Sequence, residues 1–501
     1  MLSRSSETSQ VAGPRFVKNE LPIWMLRVSD ENKSLCSSSH ASRGAARFGG
    51  RPYNVHETYE RLTTRRSRPL AAAHMKMSTP VMQGTESKVF DIAWVRKQFP
   101  SLKLQVSGHA AAFLDGPAGT QVPKQVMDAI QNYFLNANAN TYGAFLTSRR
   151  ANEMILSARA AMADFFNCDS NEVVFGQNMT TITFALARAI GRELKAGDEI
   201  VVTTLDHDAN VAPWRALQEK GVVIRQVDVR ESDCTLDLED LKRKISANTK
   251  LVATGYASNI VGTINPVAEI TKLAHAAGAL MFIDAVHYAP HGPIDVKALD
   301  CDFLACSPYK FFGPHMGTLY GKKEHLERFK PYKVRPATDT SPECWETGTQ
   351  VQELIAGIAA AVDYIAELGR HCDRTVKKRR EALLAAYRAT RPYETTLITR
   401  LIEGLLAIPG IHIFGITDPK RFDERCSTLS FRLGDHHPTE IATFLGERGI
   451  FTWDGNFYAL NLSERLGVEQ KGGLLRIGLV HYNTAEEVER LLAALREFVR
   501  Q

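Results

Sequence analysis

The sequence predicts an α/β fold in which a large domain has a mostly parallel central sheet flanked by helices, and a smaller α+β domain follows at the carboxyl terminus. Short apolar runs alternate with helical patterns from about residue 173 to residue 305, which is typical of strand–helix–strand units. A stretch rich in Ala, Ile and Leu then covers residues 351–368, and strands and helices mix beyond it. A chain of 501 residues is long enough for both domains.

The strands of the large domain are predicted from six apolar runs, at residues 173–175, 200–203, 222–224, 251–254, 280–283 and 303–305. Helical patterns lie between them at residues 181–194, 213–220, 237–244 and 267–277. A short helix at 91–99, ended by Pro100, precedes the first strand. Because ligands of open parallel sheets bind at the carboxyl ends of the strands, the polar residues that follow these runs are the candidates for a functional site.

The smaller domain is predicted from a helical stretch that reaches about residue 408, and then from strands at 411–414, 427–431 and 474–477 and helices at 438–448 and 485–499. We predict three parts of the chain: a disordered basic extension at 1–85, a large domain at 86–370 and a small domain at 371–501. Within the large domain, residues 86–122 are expected to form an arm that packs on the small domain.

The composition is that of a globular protein, with 44% apolar and 23% charged residues. No run of 18 apolar residues occurs, so we expect no membrane-spanning segment and no membrane partner. The eight cysteines are scattered without a CxxC pair. This pattern argues against a disulfide framework or a metal site, and it is typical of a reducing compartment such as the cytoplasm.

The net charge of +5 is concentrated in the amino-terminal extension. Residues 1–80 carry 13 Lys and Arg against 6 Asp and Glu, whereas the remainder carries 48 against 50. A nucleic-acid partner is therefore not expected, because phosphate binding needs a concentrated basic face. Residues 37–47 combine small side chains with Arg, as transit peptides do, so organellar targeting stays open; a translation start at Met75 or Met77 is the alternative.

Two charged residues follow strands of the predicted sheet. Asp284 closes the apolar run at 279–283, and Lys310 comes shortly after the run at 303–306. This order suits pyridoxal phosphate (PLP), because a lysine amine can hold its aldehyde and a buried carboxylate can keep its pyridine nitrogen protonated. Taken alone, each residue is more often structural, as an aspartate that caps a helix or as a surface lysine.

Two polar turns add to this pattern. The turn at 176–181 joins a strand to a helix, where backbone N–H groups and hydroxyls can hold a phosphate, although Thr180 could instead be a plain N-cap. The turn at 205–210 places His207 after the next strand. An imidazole there could stack on a flat cofactor ring, but a solvated loop histidine is the commoner case.

Seven motifs, in order along residues 90–500, make the chain similar to the class V aminotransferase family, in its cysteine desulfurase branch. They lie at residues 113–115, 206–210, 257–266, 283–291, 307–314, 346–349, and 475–477 together with 482–484. The resemblance implies the PLP-dependent transferase fold, of the aspartate aminotransferase type, and PLP as the cofactor of the large domain.

The resemblance also implies roles for the residues around the cofactor. Lys310 forms the internal aldimine and then moves protons on the substrate, Asp284 pairs with the pyridinium nitrogen, and His207 stacks on the ring; these three are the predicted catalytic residues. Asn259 and His287 lie near the phenolic oxygen, and desulfurases usually have Gln at the second position. The groups implied to hold the phosphate are Thr180, the backbone N–H of Met179, Ser307 and, from a partner subunit, Thr349.

The same resemblance makes a homodimer the functional unit and a small amino acid the substrate. Arg476 would clamp the substrate α-carboxylate through its planar fork, and Asp115 and Tyr458 are assigned to the substrate as well. Tyr458 stands in the loop 449–460, where a desulfurase carries its cysteine nucleophile. Because a phenol cannot carry a persulfide, cysteine desulfuration is not expected, and the loop would instead build an apolar pocket.

The expected function is that of a PLP-dependent class V transaminase or lyase acting on an amino acid. Two other classes of function stay open. One is a catalytically silent PLP-binding partner or regulator of a sulfur-transfer system, against which the intact Lys310, Asp284 and Arg476 argue. The other is nucleic-acid or membrane binding through the basic extension, against which the near-neutral remainder of the chain argues.

Overall fold

The structure is a computed structural model that describes residues 90–500. The predicted disordered extension at 1–85, its transit-peptide character and the alternative start at Met75 or Met77 lie outside the described residues. Within residues 90–500, no helix is both long enough and apolar enough to cross a membrane.

Seventeen strands and fourteen α-helices occur in the described residues. The strands are β1 Gln105–Val106, β2 His109–Ala110, β3 Ala112–Phe113, β4 Val173–Gly176, β5 Glu199–Thr203, β6 Val223–Val227, β7 Val229–Arg230, β8 Thr235–Leu236, β9 Thr249–Gly255, β10 Leu280–Asp284, β11 Phe303–Cys306, β12 Gly317–Gly321, β13 Ile411–Phe414, β14 Thr428–Leu433, β15 Ile450–Phe451, β16 Trp453–Gly455 and β17 Leu474–Gly478. The helices are α1 Ile92–Lys97, α2 Lys124–Asn136, α3 Leu146–Phe166, α4 Met179–Ile190, α5 Ala212–Arg215, α6 Leu238–Lys244, α7 Val267–Ala276, α8 Val296–Leu299, α9 Lys323–Arg328, α10 Gln352–Cys372, α11 Arg379–Leu406, α12 Pro438–Glu447, α13 Leu460–Arg465 and α14 Ala485–Phe498.

A seven-stranded sheet in the order β4-β12-β11-β10-β9-β5-β6 forms the centre of the larger part. Neighbouring strands from β11 to β6 are all parallel, and β12 runs antiparallel to both β11 and β4. Successive side chains enter opposite apolar clusters: Val252 and Ile283 lie in one, Ala253 and Phe282 in the other. The predicted mostly parallel sheet, covered by helices on both faces, is confirmed.

The sequence patterns do not predict β12, α2 or α3. Strand β12 follows β11 without an intervening α-helix, so the strand–helix alternation gives no sign of it. Gly317 and Gly321 close this strand at its two ends. A Cβ at Gly317 would lie 2.4 Å from the carbonyl carbon of Asn178, so only glycine lets β12 approach the start of α4 this closely.

A four-stranded antiparallel sheet in the order β13-β14-β17-β16 forms the smaller part. Helices α11, α12 and α14 contribute to its apolar cluster, which includes Leu401, Phe431, Ile441, Leu475 and Leu491. The predicted strands at 411–414, 427–431 and 474–477 are present as β13, β14 and β17, whereas the short β15 and β16 were not predicted.

Residues 112–120 connect the two sheets. Near the beginning of this segment, the Leu114 carbonyl accepts a hydrogen bond from the N–H of Gly478, the last residue of β17, at 2.8 Å. At its end, the N–H and hydroxyl of Thr120 donate hydrogen bonds to the carbonyl of Tyr309, at 3.0 and 3.2 Å. The segment therefore fixes the backbone directly before Lys310. The domain boundaries and the arm at 86–122 stay predictions.

A buried ion pair holds the segment before α10 against the central sheet. Arg159 on α3 donates two hydrogen bonds to the carboxylate of Glu346, at 2.9 and 2.6 Å. Glu346 also accepts a hydrogen bond from the N–H of Phe175 in β4, at 2.8 Å. Burial raises the pKa of Glu346, and the charge of Arg159 opposes this shift. Loss of one partner would leave the other charge buried alone.

We predict that Arg159→Met lowers the free energy of unfolding by about 3–5 kcal/mol, because Glu346 then stays buried without its counter-charge. The double variant Arg159→Met, Glu346→Leu should recover part of this loss, since no charge remains. Urea unfolding followed by circular dichroism measures both. A single variant as stable as the wild type would show that the pair contributes nothing to this packing.

Candidate active site

The carboxyl ends of the central strands bring the candidate residues to one edge of the sheet. Asp284 is the last residue of β10 and lies opposite Ala305 of β11. Ser307 follows β11 directly, and Lys310 ends the 3₁₀ turn Pro308–Lys310. Parallel pairing of β10 with β11 thus converts a long separation in sequence into neighbouring positions in space.

Lys310 is an amine held in a largely buried position. Its Nζ donates a hydrogen bond to the carbonyl of Pro117, in the segment that connects the sheets, and lies 4.7 Å from the centre of the Tyr309 ring. Burial, followed by the charge of Arg476, lowers the pKa of Lys310 to about 7, and Asp284 opposes this shift. Near neutral pH a substantial fraction of this amine is therefore unprotonated, as a lysine nucleophile requires.

Asp284 is a buried carboxyl group, 8% exposed, whose Oδ1 accepts a hydrogen bond from the N–H of Val286 at 2.9 Å. Burial raises its pKa to about 6, while this hydrogen bond and the charge of Lys310 lower it. The residues that follow Asp284 form turns, so the alternative of a helix-capping aspartate is wrong. A buried carboxyl group of this kind can hold a proton on an adjacent ring nitrogen.

Asp206 is a second buried carboxyl group, for which no individual role was predicted. It accepts hydrogen bonds from the Thr203 hydroxyl, at 2.9 Å, and from the N–H of Gly255. Burial raises the pKa of Asp206 to about 7, and the nearby Asp284 adds to the rise. The only signal for it in the sequence is the polar turn after β5, in which Asp206 directly precedes His207.

His207 lies in that turn with one ring face against Tyr458. Its Nδ1 accepts a hydrogen bond from the N–H of Ala209 at 3.0 Å, and the two ring centres are 5.5 Å apart at an interplanar angle of 27°. Burial lowers the pKa of His207 to about 4, and the charges of Lys310 and Arg476 act in the same direction. The ring is therefore neutral at physiological pH, and a flat ligand can stack only on the face that Tyr458 leaves.

Arg476 in β17 is a buried cation, only 4% exposed. Its Nη1 donates to the carbonyl of Asn259 at 2.8 Å, and its Cζ lies 4.2 Å from the centre of the Phe457 ring. No carboxylate of the described residues forms an ion pair with it within 4.0 Å. Burial lowers the pKa of Arg476 to about 9, and Asp115 opposes the shift. A buried guanidinium without a counter-ion suits a carboxylate ligand.

Two more polar groups near Arg476 lack partners. Within the described part of the chain, Asp115 Oδ1 and Asn259 Oδ1 are buried without a hydrogen bond. Burial raises the pKa of Asp115 to about 6, although its own backbone N–H and then Arg476 oppose the rise. The Nδ2 group of Asn259 donates a hydrogen bond to the carbonyl of Phe457 at 2.9 Å. Unpaired buried oxygens are costly, so a ligand that donates hydrogen bonds here would be stabilised.

The loop that carries Tyr458 has a strained backbone. Phe457 and Tyr458 adopt φ values of 55° and 58°, a left-handed conformation that costs each side-chain-bearing residue roughly 1–2 kcal/mol. The loop is tied down by hydrogen bonds from the N–H of Asp208 to the Tyr458 carbonyl, at 2.7 Å, and from the N–H of Tyr458 to Asn456, at 3.0 Å. Tyr458 itself is 73% exposed, at the position predicted to correspond to the desulfurase cysteine.

The expected phosphate seat lies at the amino terminus of α4. Met179 is its first residue, and the Asn178 side chain caps it by accepting a hydrogen bond from the N–H of Thr181 at 2.8 Å. The alternative of Thr180 as a plain N-cap is therefore wrong; Thr180 is exposed on the first turn. A helix amino terminus next to an exposed hydroxyl suits an anion.

The remaining predicted residues are placed differently. Ser307 and His287 are buried next to the ends of β11 and β10. Burial, and then the neighbouring His291, lowers the pKa of His287. Thr349 is exposed in the segment before α10, and its contact with the phosphate of a partner subunit stays a prediction.

The residues present fit PLP. An amine of lowered pKa at Lys310, a buried carboxyl group at Asp284 and a helix amino terminus at Met179 match the aldehyde, the ring nitrogen and the phosphate of that cofactor. The individual roles of these residues, and those of His207 and Asn259, stay predictions.

Comparison with known proteins gives one family. Residues 112–491 match the family model described as aminotransferase class-V. A probable cysteine desulfurase of Synechocystis sp. is 34% identical over 424 residues, which cover 81% of this chain and 96% of that protein. A cysteine desulfurase of Serratia proteamaculans is 33% identical over 424 residues, which cover 81% of this chain and 98% of that protein.

Solved structures show the same fold. The cysteine desulfurase CsdA of Escherichia coli, with an S-sulfonic acid, superposes with a TM-score of 0.71 at 27% identity, covering 82% of this chain and 99% of that one. An apo cysteine desulfurase of Thermococcus onnurineus gives a TM-score of 0.72 at 28% identity, covering 84% and 100%. The predicted PLP-dependent transferase fold is confirmed. The chain belongs to the class-V aminotransferase family and is a PLP-dependent enzyme of that family.

Proposed function

We propose that this enzyme is a class V transaminase or lyase that acts on a small amino acid, with Lys310 as the residue that binds PLP. The observation that carries the proposal is a partly buried amine at Lys310 together with a buried guanidinium at Arg476, neither of which has an ion-pair partner among the described residues. Lys310 has a pKa of about 7, which suits a nucleophilic amine, and Arg476 has a pKa of about 9 and suits an α-carboxylate.

In the proposed reaction, PLP supplies an electron sink when it is bound. Arg476 binds and orients the carboxylate of the amino acid, which places the α-carbon toward the sheet edge. Lys310 takes and returns a proton at that carbon, because its pKa lies close to neutral pH. Asp284 keeps the proton on the pyridine nitrogen, and the neutral His207 offers one ring face for stacking.

Cysteine desulfuration is not part of the proposal, although the relatives above are named desulfurases. The resemblance implies that cysteine desulfurases carry a cysteine nucleophile at the position that Tyr458 occupies in this chain. Burial raises the thiol pKa of all seven cysteines in residues 90–500, namely Cys168, Cys234, Cys301, Cys306, Cys344, Cys372 and Cys426. A protonated buried thiol is a poor nucleophile, so none of them replaces the loop cysteine.

The second candidate is a catalytically silent PLP-binding partner of a sulfur-transfer system. The missing loop cysteine favours it. Retention of Lys310, Asp284 and Arg476 with strongly shifted pKa values argues against it, because a silent protein has no need to bury three ionisable groups.

We further propose a homodimer. Four large apolar side chains between the end of α2 and the start of α3 are exposed: Phe134, Leu135, Phe145 and Leu146. Exposed apolar patches of this kind mark protein interfaces. The neighbouring Tyr133 donates a hydrogen bond to Gln352 at 2.5 Å, at the start of α10 and close in sequence to Thr349. A partner on this patch would therefore lie near Thr349.

The first experiment mixes purified enzyme with a panel of amino acids and follows its visible absorbance. We expect the band of lysine-bound PLP in the wild type and a spectral change with at least one amino acid. Lys310→Ala should lose the band and the turnover, because no other amine replaces it. Lys322→Ala, a lysine paired with Asp300 and Asp302, is the matched control and should keep both. A Lys310→Ala variant with wild-type spectrum and activity would refute the assignment.

Asp284→Asn should lower kcat by about 10²-fold or more, comparable with the loss of one preorganised electrostatic partner. The amide is nearly the same size, so folding should be unaffected, and PLP content measured after denaturation is the control. Activity within about twofold of the wild type would mean that Asp284 only stabilises the turn that follows β10.

Arg476→Ala should lower kcat/KM by roughly 10²-fold or more, because a charge-assisted contact to the substrate carboxylate is lost. PLP should still bind, since its predicted contacts lie in the larger part. Arg432→Ala is the control: Arg432 lies in β14 of the same sheet and donates to backbone carbonyls at Lys471 and Gly473. Equal losses in both variants would assign the effect to sheet stability.

A further inference from the structure

Two histidines and a cysteine meet behind the candidate site. His287 and His291 lie in the turn that follows β10, four positions apart, and a hydrogen bond from Ala289 N–H to the Ala285 carbonyl closes that turn at 3.0 Å. Cys426 comes from the strand-like segment that leads into β14. One ligand atom from each of these three buried residues lies within 4.8 Å of the other two. This spacing is close to that of a shared metal ion.

Glu394 on α11 orients one of these ligands. Its Oε2 lies 2.7 Å from Nδ1 of His291, and it also accepts a hydrogen bond from the Ser427 hydroxyl at 3.2 Å. The Glu394 side chain is completely buried. A carboxylate at Nδ1 holds the proton there and leaves the lone pair of Nε2 for a metal, the arrangement commonly seen behind histidine ligands.

A second observation also indicates a missing partner. Nε2 of His287 is buried and, among the described residues, has no hydrogen-bond partner. The ring centres of His287 and His291 lie 5.5 Å apart in an edge-to-face arrangement. An imidazole carries two nitrogens on different edges, so His287 can serve the cofactor with one and an ion with the other.

A cavity borders one side of this cluster. His291 lines a cavity of about 780 Å³ whose wall also includes the stacked rings of Tyr256 and Tyr288, with centres 3.7 Å apart. Arg391 and Asp423 line the same cavity, whereas His287 and Cys426 do not belong to its lining. His291 is therefore the ligand on the cavity side of the cluster.

We infer that His287, His291 and Cys426 bind one Zn²⁺ ion. Imidazole nitrogens and thiolate sulfurs are both zinc ligands, and the ligand atoms need to close to roughly 3.3–3.7 Å for bonds of zinc length. The thiolate and the Glu394 carboxylate would together bring two negative charges to the two positive charges of the ion. The thiol proton is released to solvent. A water from the cavity fills the fourth position.

This site would link three elements. The turn with both histidines directly follows Asp284, Cys426 precedes β14 of the small sheet, and Glu394 belongs to α11. An ion here would hold the end of β10, and with it Asp284, against the smaller part. The sequence led us to expect no metal, because its cysteines show no local pairing; the cluster combines one cysteine with histidines far from it in sequence.

Cobalt substitution tests the inference. Holoenzyme is stripped with a chelator and titrated with Co²⁺, whose visible bands become intense only in tetrahedral sites and whose near-ultraviolet band reports a thiolate ligand. We expect about one Co²⁺ per chain with both signals. Cys426→Ser should lose the thiolate band, and Cys301→Ser, another buried cysteine, should keep it. Neither signal depends on catalytic turnover, so failure of this inference can be distinguished from failure of the proposed function.

Absence of tetrahedral Co²⁺ signals in the wild type would overturn the inference, as would an unchanged thiolate band in Cys426→Ser. If Cys426→Ser fails to fold, Glu394→Gln decides. Because this variant keeps all three ligands and weakens only the hold on His291, Co²⁺ affinity should fall by about 10–100-fold. Unchanged affinity in that variant would count against the site.

Discussion

Burial without ion pairing controls the chemistry of Lys310, Asp284 and Arg476. In the described chain Asp284 and Arg476 are buried and Lys310 is partly buried, and none of the three forms a salt bridge with another residue. Desolvation therefore dominates: it lowers the pKa of the lysine to about 7 and raises that of the aspartate to about 6. Desolvating these groups costs free energy. The fold tolerates this cost because the central sheet, the segment at 112–120 and β17 are stabilised by contacts outside the site. Ionisable groups with such shifted pKa values are expected at a functional site, where a bound ligand supplies the missing polar partners.

The loop at 456–458 relates this enzyme to the desulfurases it resembles. Two consecutive aromatic residues in left-handed conformations are held by bonds to Asp208 and Asn259, so the loop is tied to both walls of the site. Phe457 covers one face of the Arg476 guanidinium, and Tyr458 covers one face of His207. In this protein the loop therefore forms aromatic walls of the candidate site.

The histidine–cysteine cluster adds a connection between the two sheets. Asp284, the predicted cofactor residue, ends β10, and His291 of the cluster lies in the turn that follows. Glu394 is buried with its Oε2 bonded to His291 and Ser427, and its Oε1 has no hydrogen-bond partner among the described residues. A cation nearby would offset the cost of burying this carboxylate.

The sequence by itself determined the parallel strands β4, β5, β6, β9, β10 and β11, helical segments between them, and the placement of Asp284 and Lys310 after strand ends. These features depend on local periodicity and on the rule that parallel strands end at one edge. Only the tertiary structure decided what depends on distant pairing: β12 between β11 and β4, and the Pro117 carbonyl at Lys310. It also decided that Arg476 lacks a counter-ion and that Cys426 meets His287 and His291. Residue spacing along the chain contains no information about such contacts, because they arise only when separate segments pack together.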